Sequence, residues 1–158
     1  MKSKVKTYLW SIGLTLAVGG LSALLTMKNM DIYESINKPD IAPPAVLFPI
    51  VWGILYVLMG LSVALVITGA RRDGIYSIPS IKAYVMQLFV NFFWSLIFFN
   101  MRNFLFSFVW LLVLWVLVVN MMIKFYKVNK AASFINVPYL LWVSFAGYLN
   151  FLIYILNR

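Results

Sequence analysis

Residues Phe104–Ile123 read FLFSFVWLLVLWVLVVNMMI, a run with no charge and a single interior amide, Asn120. A helix needs roughly 20 apolar residues to cross a hydrocarbon core at about 1.5 Å per residue. A barrel strand would be shorter and would alternate apolar with polar, which Leu111–Val119 does not. The run therefore reads as a transmembrane helix. Four more apolar runs accompany it, at about 5–25, 45–68, 81–99 and 134–156.

The rest of the chain agrees. Its 158 residues are 64% hydrophobic and 11% charged, with mean hydropathy +0.94. Soluble domains run near half apolar and a quarter charged, and a water-soluble fold of this length could not hide so much apolar surface. The first run is too long and too glycine-dotted for a signal peptide and reads as retained. The expectation is one all-α integral membrane domain over residues 1–158, a five-transmembrane-helix bundle.

Basic residues give the orientation. Five spans put Lys2, Lys4, Lys6, Arg71, Arg72, Lys82, Lys124, Lys127 and Lys130 on one side, against Lys28, Lys38, Arg102 and Arg158 on the other. The positive-inside rule then places the N-terminus in and the C-terminus out. The net charge of +9 comes from residues flanking apolar runs. It forms no patch for nucleic acid.

Several chemistries are excluded. The chain has no cysteine and no histidine, so thiolate nucleophiles, Cys-type zinc sites, serine-type triads and imidazole metal ligands are absent. The four acids, Asp31, Glu34, Asp40 and Asp73, all lie outside the apolar runs, which leaves no carboxylate for a mid-membrane proton relay. No metal site and no obligatory cofactor is expected.

Polar and aromatic residues concentrate in three runs and one loop. The loop over 27–44 is long, polar and proline-bearing, the profile of an outer lid. Pro43 and Pro44 are expected to open the second helix, whose Phe48, Trp52 and Tyr56 follow Pro44 at four-residue steps on one face. The third helix carries Gln87, Asn91 and Trp94, and the fifth carries Tyr139, Trp142, Ala146, Gly147 and Asn150, with Pro138 expected to kink or delay its start. An amide in hydrocarbon must find a partner, so Asn91 faces protein, water or ligand. Asn91, Asn150 and Trp52 lie at similar depth, roughly 10–15 Å from the outer boundary. Aromatic and amide groups from three helices thus meet beneath the loop, the make-up of a mostly apolar pocket.

These residues resemble the translocator protein and tryptophan-rich sensory protein family (TspO/MBR, peripheral-type benzodiazepine receptors). The specific stretch runs from Lys38-Pro39 through Pro43-Pro44, Phe48, Trp52 and Leu55-Tyr56 to Met59-Gly60. Gln87-Leu88 to Asn91 and Trp94, and Pro138-Tyr139 through Trp142, Phe145-Ala146 and Asn150, fit the family's third and fifth helices. The resemblance implies a homodimer of five-helix bundles that binds porphyrins, sterols and benzodiazepine-site drugs under the first loop. By position its pocket would take Tyr33, Pro43, Pro44, Phe48, Trp52, Asn91, Trp94, Trp142, Phe145, Ala146 and Asn150. Some bacterial relatives are associated with light- and oxygen-dependent protoporphyrin degradation, which would make Trp52 and Trp142 catalytic and porphyrin a substrate instead of a ligand. Two departures stand out: Phe106 where many relatives have tryptophan, and Phe151 where the sterol motif has tyrosine. A receptor or sensor ranks first and the degrading enzyme second. A tetrapyrrole or sterol transporter comes third, because intramembrane charge, inverted repeats and nucleotide motifs are missing.

Overall fold

A computed structural model describes residues 2–75 and 77–158. Met1, Tyr76 and the side chain of Lys2, one of the nine basic residues counted above, lie outside the description. Seven α-helices are present among the described residues: α1 (Lys2–Thr26), α2 (Ile32–Ser35), α3 (Leu47–Asp73), α4 (Ile78–Ser95), α5 (Phe104–Val128), α6 (Lys130–Phe134) and α7 (Val137–Leu156). A 3₁₀ turn over Met27–Asn29 extends α1, and a π-helical turn over Leu96–Asn100 extends α4. Five stretches are long and apolar enough to span a membrane: Ser3–Asn29, Leu47–Asp73, Ile78–Asn100, Phe104–Val128 and Lys130–Leu156. Lengths and composition make this a multi-pass membrane protein.

The helices are longer than the apolar runs because polar termini finish them. Arg71, Arg72 and Asp73 complete α3 before Gly74 caps it with φ 65°, a left-handed step that suits glycine. Asn129 ends α5 and its side chain accepts the Ala132 N–H at 3.1 Å, starting α6. Pro138 sits in the first turn of α7, where a missing N–H costs nothing, so it delays that helix.

The proline pair behaves otherwise than expected. Pro43 and Pro44 do not open the second helix, which begins at Leu47. A residue preceding proline is pushed out of the α region, so Ala42 and Pro43 stay outside the helix and Pro44 instead heads a turn, its carbonyl accepting the Leu47 N–H at 3.0 Å. Pro49 takes the early helical place, within the first turn of α3.

Small residues and buried polar groups bind the bundle. A Cβ added to Gly60 would lie 2.6 Å from the Ile12 Cα, so α1 and α3 meet backbone to backbone there. Gly19 seats against the ring of Tyr56, while a Cβ on Gly13 of the same helix would meet nothing within 4 Å among the described residues. Thr15 and Tyr84 join α1 to α4 by their hydroxyls. The Trp110 Nε1–H donates to the Val90 carbonyl at 2.7 Å, and the Trp115 Nε1–H to Ser144 Oγ at 2.9 Å, fastening α5 to α4 and α7. On α5 the buried positions Ser107, Leu111, Leu114, Val118, Met121 and Phe125 form the inner stripe. Large apolar residues such as Leu9, Trp10, Phe89, Val116 and Leu141 stand exposed around the outside, an arrangement that suits lipid and not water.

Candidate ligand-binding site

The loop over 27–44 folds back onto the bundle end. Tyr33, on α2, is buried at 3% exposure and its hydroxyl donates to the Pro43 carbonyl at 2.8 Å. Its ring meets Phe48 edge-on with centroids 5.1 Å apart. Few polar ties hold the roof, and all lie at its exposed rim. The Asn37 N–H donates to Asn157 Oδ1 at 3.0 Å, and Asn157 Nδ2 returns a bond to the Asn37 carbonyl at 2.8 Å. At the other end Asn29 Nδ2 donates to Asn100 Oδ1 at 2.9 Å, and Asn100 Nδ2 to the Leu25 carbonyl at 3.1 Å. Burial, with the Glu34 carboxylate beside it, pushes the Tyr33 phenol up to about 12.

Beneath this roof two groups of aromatic rings pack, one around Phe48 and one around Trp52 and Trp94. Phe48 touches Trp142 at 6.0 Å, and Trp52 touches Tyr56, Trp94 and Tyr139 at 5.7, 6.1 and 6.2 Å. Trp94 continues to Phe98 at 5.7 Å and Phe99 at 6.4 Å. The π turn makes this possible. Its wider backbone, with Met101 N–H bonded to the Leu96 carbonyl at 3.1 Å, leaves the successive residues Ile97, Phe98 and Phe99 all buried.

Three spaces adjoin these rings. A chamber of about 10 Å³ is enclosed by Tyr33, Phe48, Trp94, Phe98, Phe99, Ala146, Leu149, Asn150 and Ile153. That is room for roughly one water. A crevice of about 80 Å³ lies between α1, α3 and α4, lined among others by Ser22, Thr26, Phe48, Trp52, Tyr56, Trp94 and Phe99. Phe48, Trp94 and Phe99 are walls of both. An outer groove of about 390 Å³ between α3 and α7 is lined by Leu55, Leu58, Pro138, Trp142 and Phe145 with their neighbours.

Of the residues singled out from sequence, Tyr33, Phe48, Trp94, Ala146 and Asn150 meet around the chamber. Trp52 faces the crevice, and Trp142 and Phe145 face the groove. Trp142 and Ala146, although on one helix face, therefore border different spaces. Pro43 and Pro44 carry the roof without lining any of the three. Asn91 is 1% exposed below them, and both ends of its amide are engaged. Its Oδ1 accepts the Tyr56 hydroxyl at 3.1 Å and its Nδ2 donates to the Tyr139 hydroxyl at 2.7 Å, which in turn donates to Gln87 Oε1 at 2.7 Å. Asn150 is likewise engaged. It accepts from Trp94 Nε1 at 3.3 Å and Ser107 Oγ at 2.9 Å, and donates to the Phe104 carbonyl at 2.8 Å. Trp142 is the exception: its Nε1–H is buried and, among the described residues, has no acceptor. Gly147, small enough either to leave a void or to admit a neighbouring helix, leaves open space: a Cβ there meets nothing within 4 Å among the described residues.

Phe98, Phe99, Leu149 and Ile153 escaped the sequence reading as chamber walls. Leu149 and Ile153 flank Asn150 at steps of one and three, a signal that was available. Phe99 was hidden, because a regular helix would have turned it away from Phe98. Among the described residues no cluster of acids suited to a metal ion is present.

The profile of the TspO/MBR family matches residues 11–156. The chain belongs to the TspO/MBR family. Within it, the chain is similar to the tryptophan-rich protein TspO of Chlorobaculum tepidum, 40% identical over 99% of this chain and 99% of that one. It is 36% identical to the tryptophan-rich protein TspO of Archaeoglobus fulgidus, over 93% and 94% of the two chains. The translocator protein of Bos taurus is more distant, 29% identical over 75% of this chain and 70% of its own. TspO/MBR membership and the five apolar spans agree on a family of sensory and translocator proteins built into membranes.

Proposed function

We propose that this protein is a membrane receptor or sensor that binds porphyrins, protoporphyrin IX foremost, and hydrophobic benzodiazepine-site drugs within the bundle. What supports this most is that two ring pairs, Tyr33 with Phe48 and Trp52 with Trp94, line the chamber and the crevice between them, under a roof tied only at its rim. Flat apolar rings stack on such walls. In the proposed site Tyr33 with Pro43 and Pro44 form the roof, Phe48, Trp52, Trp94, Ala146 and Asn150 the walls, and Trp142 with Phe145 the outer side. Asn91 holds the floor in position. Ligands of this class need about 300–1,000 Å³, far more than the closed chamber. Binding therefore accompanies lifting of the loop and outward turns of Phe48 and Phe99, which separate chamber from crevice.

The protein works as a homodimer in a bacterial plasma membrane, N-terminus in and C-terminus out. Arg71, Arg72, Lys82, Lys124, Lys127 and Lys130 flank the helix ends on the inner side of this arrangement. No resident cofactor is required.

A second reading makes bound porphyrin a substrate, destroyed in light with dioxygen as oxidant. The oxidisable indoles it assigns to the reaction are Trp52, beside the crevice with Trp94 6.1 Å away, and Trp142, on the groove, because such rings would adjoin an excited porphyrin. Titration of purified protein with protoporphyrin IX in darkness, followed by illumination in oxygen, separates the readings. Saturable spectral change that survives illumination supports the receptor; bleaching well above that of free porphyrin supports the enzyme. No saturable change in darkness removes both.

A further inference from the structure

We propose that Lys38 is the anion-recognising residue of this site, so that it selects apolar ring ligands bearing a carboxylate at one edge. The assignment rests on the receptor reading above and adds the chemical feature the ligand must carry. None of the residues lining the chamber or the crevice is charged, so an acidic edge can be met only at the roof. Over the roof, 27–44, the charged residues are Lys28, Asp31, Glu34, Lys38 and Asp40. Of the two cations Lys28 is exposed, and Lys38 is the one that sits over the ring of a chamber residue. Asp31 and Asp40 are exposed, and by their sign they would oppose an anionic ligand.

The Lys38 ammonium is held over the chamber wall. It lies 4.7 Å from the centroid of the Tyr33 ring, and Tyr33 also lines the chamber. Its backbone is fixed from both sides. Asn37 is bonded through N–H and carbonyl to Asn157, and Pro39 follows with its locked φ. Its partner is replaceable. Glu34 sits 3.3 Å away but its side chain is 66% exposed, against 25% for Lys38, and an exposed ion pair contributes little. A ligand carboxylate arriving beside Tyr33 would take the place of Glu34 on a cation already half out of water.

Protoporphyrin IX and its dimethyl ester test this, because they share one ring and differ in charge. For the protein as described, the diacid should bind about fivefold more tightly than the ester, the scale of one partly exposed ion pair. Lys38→Gln should bring the ratio of the two affinities to about one, and Lys38→Arg should restore part of it. Glu34→Gln should raise the ratio, since the competing carboxylate is gone. Arg158→Gln and Lys28→Gln, at the same end of the bundle, should leave it alone. A ratio that survives Lys38→Gln, or that collapses with Arg158→Gln, overturns the assignment. If the unaltered protein binds both compounds equally, Lys38 selects nothing. If it binds neither, the receptor reading itself fails, and this assignment with it.

Discussion

Asn91 and Trp142 are both polar groups in apolar surroundings, yet their surroundings treat them in opposite ways. The Asn91 amide joins the Tyr56 and Tyr139 hydroxyls in one buried chain that ends at Gln87. Asn91→Ala leaves the Tyr56 hydroxyl without its acceptor and removes a donor from Tyr139. An unpaired buried group costs about 1–3 kcal/mol, so the variant should melt clearly lower in a thermal-shift measurement. The Trp142 Nε1–H has no protein acceptor to lose. Trp142→Phe should therefore leave the ligand-free melting temperature nearly unchanged. With Trp52→Phe it should cost about 1 kcal/mol of porphyrin affinity through lost contact, and under the degradative reading it should suppress light-driven bleaching far more. Equal losses of binding and bleaching in both variants would reduce the tryptophans to pocket walls. Tyr33 adds a pH dependence. With its phenol raised from 10.0 to about 12 in the closed state, the closed loop holds that proton more tightly than the open one. Closure keeps this contribution below pH 10.0, weakens as the pH climbs, and has lost it by about 12. The phenolate absorbance difference between the protein and Tyr33→Phe should rise near the upper end of that window. A rise centred at the lower end would show an exposed phenol and an open roof.

At the scale of helices, glycine separates contact from exposure. Gly60 and Gly53 lie on the same helix, two turns apart. A methyl on Gly60 would strike the Ile12 backbone at 2.6 Å, whereas one on Gly53 meets nothing within 4 Å. Gly60→Ala must push α1 from α3 and should destabilise the bundle by about 1–3 kcal/mol, the usual scale of overpacking. Gly53→Ala should be neutral or stabilising by up to about 1 kcal/mol, since alanine is the better helix former. Denaturation of the two variants in the same detergent decides the matter, and equal stabilities would mean that α1 is free to yield. Neither outcome could be forecast from the sequence, because both glycines look alike in an apolar run. The proline pair teaches a similar point. Pro43-Pro44 marked the right neighbourhood, but the restriction that each proline puts on the residue before it moved the helix start to Leu47.

For the whole molecule, the topology is open to a direct check. Reporter tags at the two termini should label from opposite faces of the membrane, the N-terminal one from inside. Labelling of both from one face would end the five-span arrangement. Composition and periodicity alone determined the five apolar helices and the membrane setting, since spanning a bilayer demands length and apolarity, both readable residue by residue; the family came from the resemblance of the motif around Pro43-Pro44 and Trp52. The resemblance then named Tyr33, Phe48, Trp94, Ala146 and Asn150, which do meet around one chamber. Only tertiary structure decided that Asn91 and Asn150 spend their amides inside the protein, that Trp142 borders a groove instead of the chamber, and that the π turn leaves both Phe98 and Phe99 buried. Those outcomes depend on which neighbour lies within about 3 Å of a polar atom and on the local widening of one helical turn, and neither quantity is carried by the order of residues along a single helix.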